Sequence, residues 1–258
     1  MFVKKNMKIG LIQYSPEWEN KKANKIKISR LLENQNGVSL FILPELTLTG
    51  FTMKSGEFCE PGDGESFEYF SLLALNKNAH VLAGIIEKDG SKIYNTMLHI
   101  NPEGELVNKY RKIHPFTYST EDKYYSGGEK TVVTQIEEWM TGLSICYDLR
   151  FPELYRIYGK ARTELIVDIA NWPVARIEHW RTLLKARAIE NQCYVAGVNR
   201  VGSDPKLNYN GYSSLFDPMG NEIICSYDTE EILIAEIDIE TVNSVREKFP
   251  FLQDIKLL

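Results

Sequence analysis

The sequence predicts an α/β protein whose sheet layers are covered by helices. Three observations carry that prediction. Short apolar runs alternate with amphipathic stretches almost from end to end, two pairs of runs are joined by hairpin chemistry, and two prolines introduce helical patterns soon after a strand ends.

Residues 8–13 and 38–43 are apolar enough for buried strands, and residues 20–33 between them have helical periodicity that stops near Asn36-Gly37. A helix is expected over 66–76 and a strand over 80–86. Runs 95–100 and 106–109 flank Pro102-Glu103-Gly104, which suits a turn between antiparallel strands. A loop-rich segment follows from 114 to 130, then strands near 131–135 and 142–146. Phe151, Leu154, Tyr155 and Tyr158 recur at helical spacing around Pro152, so Cys146 stands where a strand stops and a helix is about to begin. Residues 165–170 form another buried run. Beyond Pro173, Ile177, Trp180, Leu184 and Ala188 mark a second helix face. Strands at 193–199, 213–217, 222–226 and 232–237 complete the pattern, with a turn at 217–221. Neither an internal repeat nor a linker interrupts it. The expectation is one domain over 7–258 behind a short N-terminal extension at 1–6.

A chain of 258 residues with 43% hydrophobic and 25% charged residues can bury a large core. Its net charge of −5 offers no basic stripe for nucleic acid and no polybasic patch for a membrane surface. No apolar run approaches the length of a membrane span. Residues 1–6 carry two lysines, but Lys8 and Gln13 interrupt the apolar segment behind them; this is a poor signal peptide, and a cytoplasmic protein is expected. Cys59, Cys146, Cys193 and Cys225 are widely spread without CxxC spacing or a histidine at ligand distance. Neither a zinc site nor a disulfide framework is expected, and each cysteine is by default a small buried hydrophobe.

Cys146 and Glu45 both follow apolar runs, at the strand ends where open α/β sheets gather their sites. Alone, Glu45 reads as a solvated strand-end residue, and Lys112, beside Arg111 and His114, as part of a wet basic cluster. Together they make chemical sense. A thiol needs a base, a nearby ammonium lowers its pKa or stabilises an oxyanion, and a carboxylate in a dry pocket can serve as base and then acid. A cysteine–histidine pair is the rival, with His114 as its candidate; His80 and His99 read as structural, and His179 lies on the polar side of its helix.

LPEL at 43–46, YRKIHPF at 110–116, TEDKYY at 120–125 and SICYDLRFPE at 144–153 together resemble the carbon–nitrogen hydrolases of the nitrilase superfamily, and the resemblance extends over nearly the whole chain. It implies a four-layer αββα sandwich that assembles as a homodimer or larger homo-oligomer. It also implies a Glu-Lys-Cys triad: Glu45 as general base, Lys112 as oxyanion-stabilising cation and Cys146 as nucleophile. Glu121 then corresponds to the additional glutamate that positions the substrate, and the Tyr147 N–H to an oxyanion donor. No metal or organic cofactor is implied; the partners are a small-molecule amide and water.

Residues 169–204 and the closing REKFPFLQD are most similar to the bacterial omega-amidases of that superfamily, which implies a substrate of the 2-oxoglutaramate or 2-oxosuccinamate type. Its carboxylate calls for a cation in the pocket. Arg150 is the first candidate and Arg176 the second, each also readable as a structural ion pair, for Arg150 with Asp148 or Glu153. Trp172 and Tyr147 are candidate pocket walls. An N-carbamoyl amine or amino acid, or deaminated glutathione, remains an alternative substrate, and an inactive binding module an alternative of another class.

Overall fold

The computed structural model describes residues 6–257. The expected extension therefore lies outside the described residues except for Asn6, which already opens the first strand. Chain order is β1 (Asn6–Gln13), α1 (Lys21–Leu32), β2 (Leu40–Ile42), α2 (Ser55–Phe58), α3 (Glu65–Lys77), β3 (His80–Asp89), β4 (Lys92–Ile100), β5 (Leu106–Arg111), β6 (Val133–Ile136), β7 (Trp139–Ile145), α4 (Pro152–Lys160), β8 (Leu165–Ala170), α5 (Ile177–Asn191), β9 (Tyr194–Asn199), β10 (Val201–Ser203), β11 (Asn208–Phe216), β12 (Glu222–Tyr227), β13 (Glu231–Asp238) and α6 (Ile239–Lys248).

Among the described residues the strands form two sheets. The first runs β13-β1-β2-β3-β4-β5 and the second β10-β11-β9-β8-β7-β6, with β12 added beside β11. The central strands are parallel (β1, β2 and β3 in one sheet, β7, β8 and β9 in the other), and antiparallel strands extend each edge. Parallel strands are buried on both faces, which is why 165–170 is apolar without alternation except at Asp168.

Three apolar layers hold the sandwich together. Met7, Ile9 and Leu11 of β1 meet Leu143 and Ile145 of β7 and Val167 and Ile169 of β8 between the sheets. Ile28 and Leu32 of α1 and Phe70 and Ala74 of α3 cover the outer face of the first sheet. Tyr155 and Tyr158 of α4, with Trp180 and Leu184 of α5, cover the second. The order is helix, sheet, sheet, helix: the αββα sandwich.

Several bounds differ from expectation for physical reasons. The run 38–43 is a strand only over Leu40–Ile42, although Ser39 N–H (2.8 Å to Lys8 O) and Leu43 N–H (2.8 Å to Leu82 O) continue its ladder. Strands β3 and β4 pair out to Asp89 and Lys92, beyond the apolar stretch, because backbone pairing sustains a hairpin after its side chains turn polar. Helix α6 buries Val242 in the core between the sheets with Ile239 packed beside it, and the Arg246 guanidinium anchors it by donating to the carbonyls of Arg162, Thr163, Asn191 and Gln192.

Candidate active site

The site forms where chain segments leave the ends of central strands of both sheets. After β2 the chain turns through Pro44-Glu45-Leu46, with Leu46 in the left-handed region at φ 44°. The turn rests on β3. Thr47 N–H donates to Gly84 O at 2.9 Å and Gly84 N–H to Thr47 Oγ1 at 3.0 Å. Glycine is required there, since a Cβ on residue 84 would lie 2.5 Å from Leu46 N.

Glu45 is buried, contrary to its solvated reading, and each of its oxygens accepts a hydrogen bond. Its Oε1 receives Lys112 Nζ at 2.8 Å and Asn95 Nδ2 at 2.7 Å, and its Oε2 receives Asn171 N–H at 2.9 Å. Asn171 Nδ2 also donates to the Glu45 carbonyl at 2.8 Å. Lys112 follows β5 and is 1% exposed, so it is no wet surface residue. Its ammonium also reaches Glu121 Oε2 at 2.9 Å and Oε1 at 3.2 Å. Glu121 comes from the 3-10 turn Glu121–Lys123 in the long loop, and its Oε2 accepts the Phe116 N–H at 2.5 Å. One buried cation is thus shared by two buried carboxylates, with Asn95 bridging both carboxylates from the side.

Cys146 begins the 3-10 turn Cys146–Arg150 at the end of β7, with φ at 52°. A non-glycine residue in that region is strained, and such strain gathers where side-chain aim matters. Its N–H donates to Asp168 Oδ1 at 2.8 Å, and the preceding Ile145 N–H donates to Asp148 Oδ2 at 3.1 Å. Tyr147 N–H stands among the first amides of the turn, which have no acceptor within it.

Burial pushes the Cys146 thiol well above its ordinary pKa, and the charge of Glu45 adds to this against the opposing pull of Lys112. Burial also works against the Lys112 ammonium, but Glu121 and Glu45 outweigh it and hold its pKa well above the usual lysine value. Glu121 is raised, first by burial. At neutral pH the arrangement is a protonated thiol beside a carboxylate-bound ammonium; it can move a proton from sulfur to a carboxylate and present a fixed positive charge to a developing anion.

Above Cys146 opens a cavity of about 340 Å³. Tyr147, Arg150, Trp172 and Arg176 all line it, together with Trp18, Phe51, Phe116 and Leu207, which the sequence did not single out. Arg150 forms no ion pair with Asp148 or Glu153. Its guanidinium lies 4.8 Å from the Trp172 ring centroid and 3.2 Å from His179 Nδ1. Arg176 lies 5.4 Å from the Phe116 centroid. Burial, then the like charge of Arg176, lowers the Arg150 pKa. Neither arginine has a carboxylate partner among the described residues. The acids on the cavity wall are already engaged: Glu19 by Lys54 at 2.6 Å and Asp204 by Tyr209 Oη at 2.5 Å.

His114 is held elsewhere. Its Nδ1 bonds Asp148 Oδ1 at 2.7 Å and its ring stacks on Phe151 at 3.7 Å, with no hydrogen bond to Cys146. His80 and His99 bond each other at 2.9 Å away from the cavity. All four cysteines are unpaired, and among the described residues no group of three or more His, Cys, Asp or Glu is arranged to hold a metal ion. Asn95, Asn171 and Asp168 escaped the sequence reading because their partners lie far away along the chain.

A layered α/β fold in which a cysteine, a lysine and a glutamate after strand ends meet a second glutamate from a long loop defines a class of hydrolase, and residues 8–247 match the carbon-nitrogen hydrolase family. The chain belongs to that family and acts as a hydrolase of carbon–nitrogen bonds. It is 33% identical over 251 residues to the 2-oxoglutaramate amidase of Bacillus subtilis, covering 96% of this chain and 97% of that protein. Omega-amidase YafV of Escherichia coli K12 is 36% identical over 251 residues, covering 96% of each. A CN-hydrolase superfamily protein of Xanthomonas campestris, solved with an arsenic adduct in its active site, superposes with a TM-score of 0.93 at 30% identity and covers 98% of both chains.

Proposed function

We propose that this protein is an omega-amidase-type enzyme that cleaves the terminal amide of a small linear acid, of the 2-oxoglutaramate or 2-oxosuccinamate kind, to the acid and ammonia. The observation that carries the proposal is the buried Lys112 ammonium between Glu45 and Glu121, set close enough to Cys146 for all three charges to shift its thiol. Glu45 takes the thiol proton as the Cys146 sulfur attacks the amide carbon. Lys112 has three N–H donors, two of them given to the nearest carboxylate oxygens; the third and the Tyr147 N–H hold the oxyanion. Glu121 fixes the lysine and the substrate amide. Glu45 then protonates the departing ammonia, a thioester remains, and water activated by Glu45 releases the acid.

Two arginines on the cavity wall, neither with a carboxylate partner among the described residues, favour a substrate that carries its own carboxylate at the end remote from the amide. The closely similar 2-oxoglutaramate amidase and omega-amidase supply the same expectation. The reading places the enzyme in the cytoplasm as a homodimer or larger homo-oligomer; light scattering on the purified protein tests the assembly.

The test is ammonia release from 2-oxoglutaramate beside an N-carbamoyl amine and a simple aliphatic amide. A preference of ~100-fold or more in kcat/KM for 2-oxoglutaramate, worth about 2.7 kcal/mol, is expected. Cys146→Ala and Glu45→Gln should each abolish turnover, while His114→Gln should keep most of it. Turnover surviving in Cys146→Ala would sink the scheme.

A further inference from the structure

Among the buried acids that the mechanism does not use, Asp168 bonds the backbone of the nucleophile itself. Asp168 lies on β8, fully buried directly beneath Cys146. Its Oδ1 accepts the Cys146 N–H at 2.8 Å, the bond that ties down the residue with φ at 52°. Its Oδ2 lies 2.7 Å from Ser144 Oγ and 2.6 Å from Tyr155 Oη; those hydroxyls lie 2.8 Å apart, and Ser144 Oγ is 3.0 Å from Val167 O.

Ser144 and Tyr155 bring two hydroxyl protons to four close oxygen–oxygen contacts. With Asp168 ionised both hydroxyls can donate to its Oδ2; with Asp168 protonated the bonds can run instead from Asp168 to Tyr155, on to Ser144 and finally to the Val167 carbonyl, which can only accept. No cation bonds the carboxyl among the described residues.

Resting on the reading of Cys146 as nucleophile, we propose that Asp168 is a positioning residue: as the neutral acid it locks the turn that aims the sulfur, and as the anion it opposes the negative charge that the sulfur develops. The groups that face it are few. Cys146 and Asp148 come from the end of β7 and the turn after it, Tyr155 and Tyr158 from α4, and Gly197, opposite on β9, brings no charge. Arg187 of α5 lies 5.0 Å from the Tyr155 ring centroid, and its own charge is met by Glu190 at 3.0 Å. Burial pushes the Asp168 carboxyl up to about 8, and Asp148 adds to the rise against the hydrogen bonds from Tyr155, Ser144 and the Cys146 amide. The neutral form therefore predominates at pH 7, and the anion appears on the alkaline side.

The experiment is a kcat-against-pH profile from pH 6 to 10 for the wild type, Asp168→Asn, Asp168→Ala and Tyr155→Phe, with Cys146→Ala as the blank and circular dichroism to establish folding. The wild type is expected to lose activity through an apparent pKa near 8. Asp168→Asn, an isostere of the neutral acid, should abolish that limb. Asp168→Ala should lower kcat by about 30-fold or more at pH 7 with KM little changed, and Asp168→Asn by much less. Tyr155→Phe removes a donor that favours the anion, so its limb should move to higher pH; this shift can be read even where Asp168→Ala fails to fold. An alkaline limb unchanged in Asp168→Asn and Tyr155→Phe would overturn the proposal, as would full activity in Asp168→Ala. With Cys146→Ala inactive, those results sink the Asp168 proposal alone; with Cys146→Ala active, the nucleophile reading falls as well.

Discussion

Arg150 shows what single residues contribute to substrate choice. Its guanidinium lies 4.8 Å from the Trp172 ring centroid and has no carboxylate partner among the described residues, so its positive charge is available to whatever enters the cavity. Replacing it by glutamine should raise KM for 2-oxoglutaramate by about 10-fold to 100-fold with kcat little changed, and leave an uncharged aliphatic amide unaffected. Equal effects on both amides would place carboxylate recognition elsewhere. At this scale the sequence was least transparent. Glu45, Lys112 and Glu121 each resembled an ordinary polar residue until the whole set of motifs was compared with a known family. Asn171 could not be found at all, because its meaning lies in a bond to Glu45, 126 residues away.

Elements impose the geometry that residues use. The Glu45 turn can press against β3 only because residue 84 lacks a side chain. Gly84→Ala must displace backbone, so we expect a stability loss of about 1–3 kcal/mol and an activity loss larger than that destabilisation accounts for. Urea melts and kcat measured on the same preparation separate the two effects; wild-type kcat would refute the close fit. On β8 the linkage of Asp168 has a definite sign. Its pKa in the folded protein, about 8, exceeds the ordinary 3.8, so its contribution to stability is full below 3.8 and lost as pH rises through 8. Thermal melts at pH 5 and pH 9 should therefore show Asp168→Asn gaining on the wild type at the higher pH; a gap that stays constant would contradict the shift. Elements built from apolar periodicity, such as β8 and α5, were legible in the sequence. Helix α6 and strand β10 were not, since α6 depends on the Arg246 bonds to backbone far away along the chain and β10 is a three-residue strand held by its hairpin to β11.

For the whole molecule, alternation of runs announced layers but left their order open. Pairing partners are chosen over distances that periodicity cannot report: β1 lies against β13, with Asn6 opposite Asp238. Such long-range closure makes folding slow, because chain entropy is lost before the contacts form. Glu45 leaves a strand of the first sheet and Asn171 follows a strand of the second, yet the two are joined by hydrogen bonds from both the backbone and the side chain of Asn171. On the proposed mechanism, catalytic competence is therefore a property of the finished sandwich and of neither half. During refolding from urea, circular dichroism should recover first and ammonia release should lag behind it; equal rates would mean that the halves dock as early as their strands form. The enzyme thus carries its own assay for completion, and a chain nicked in either half would stay silent until the other half found it.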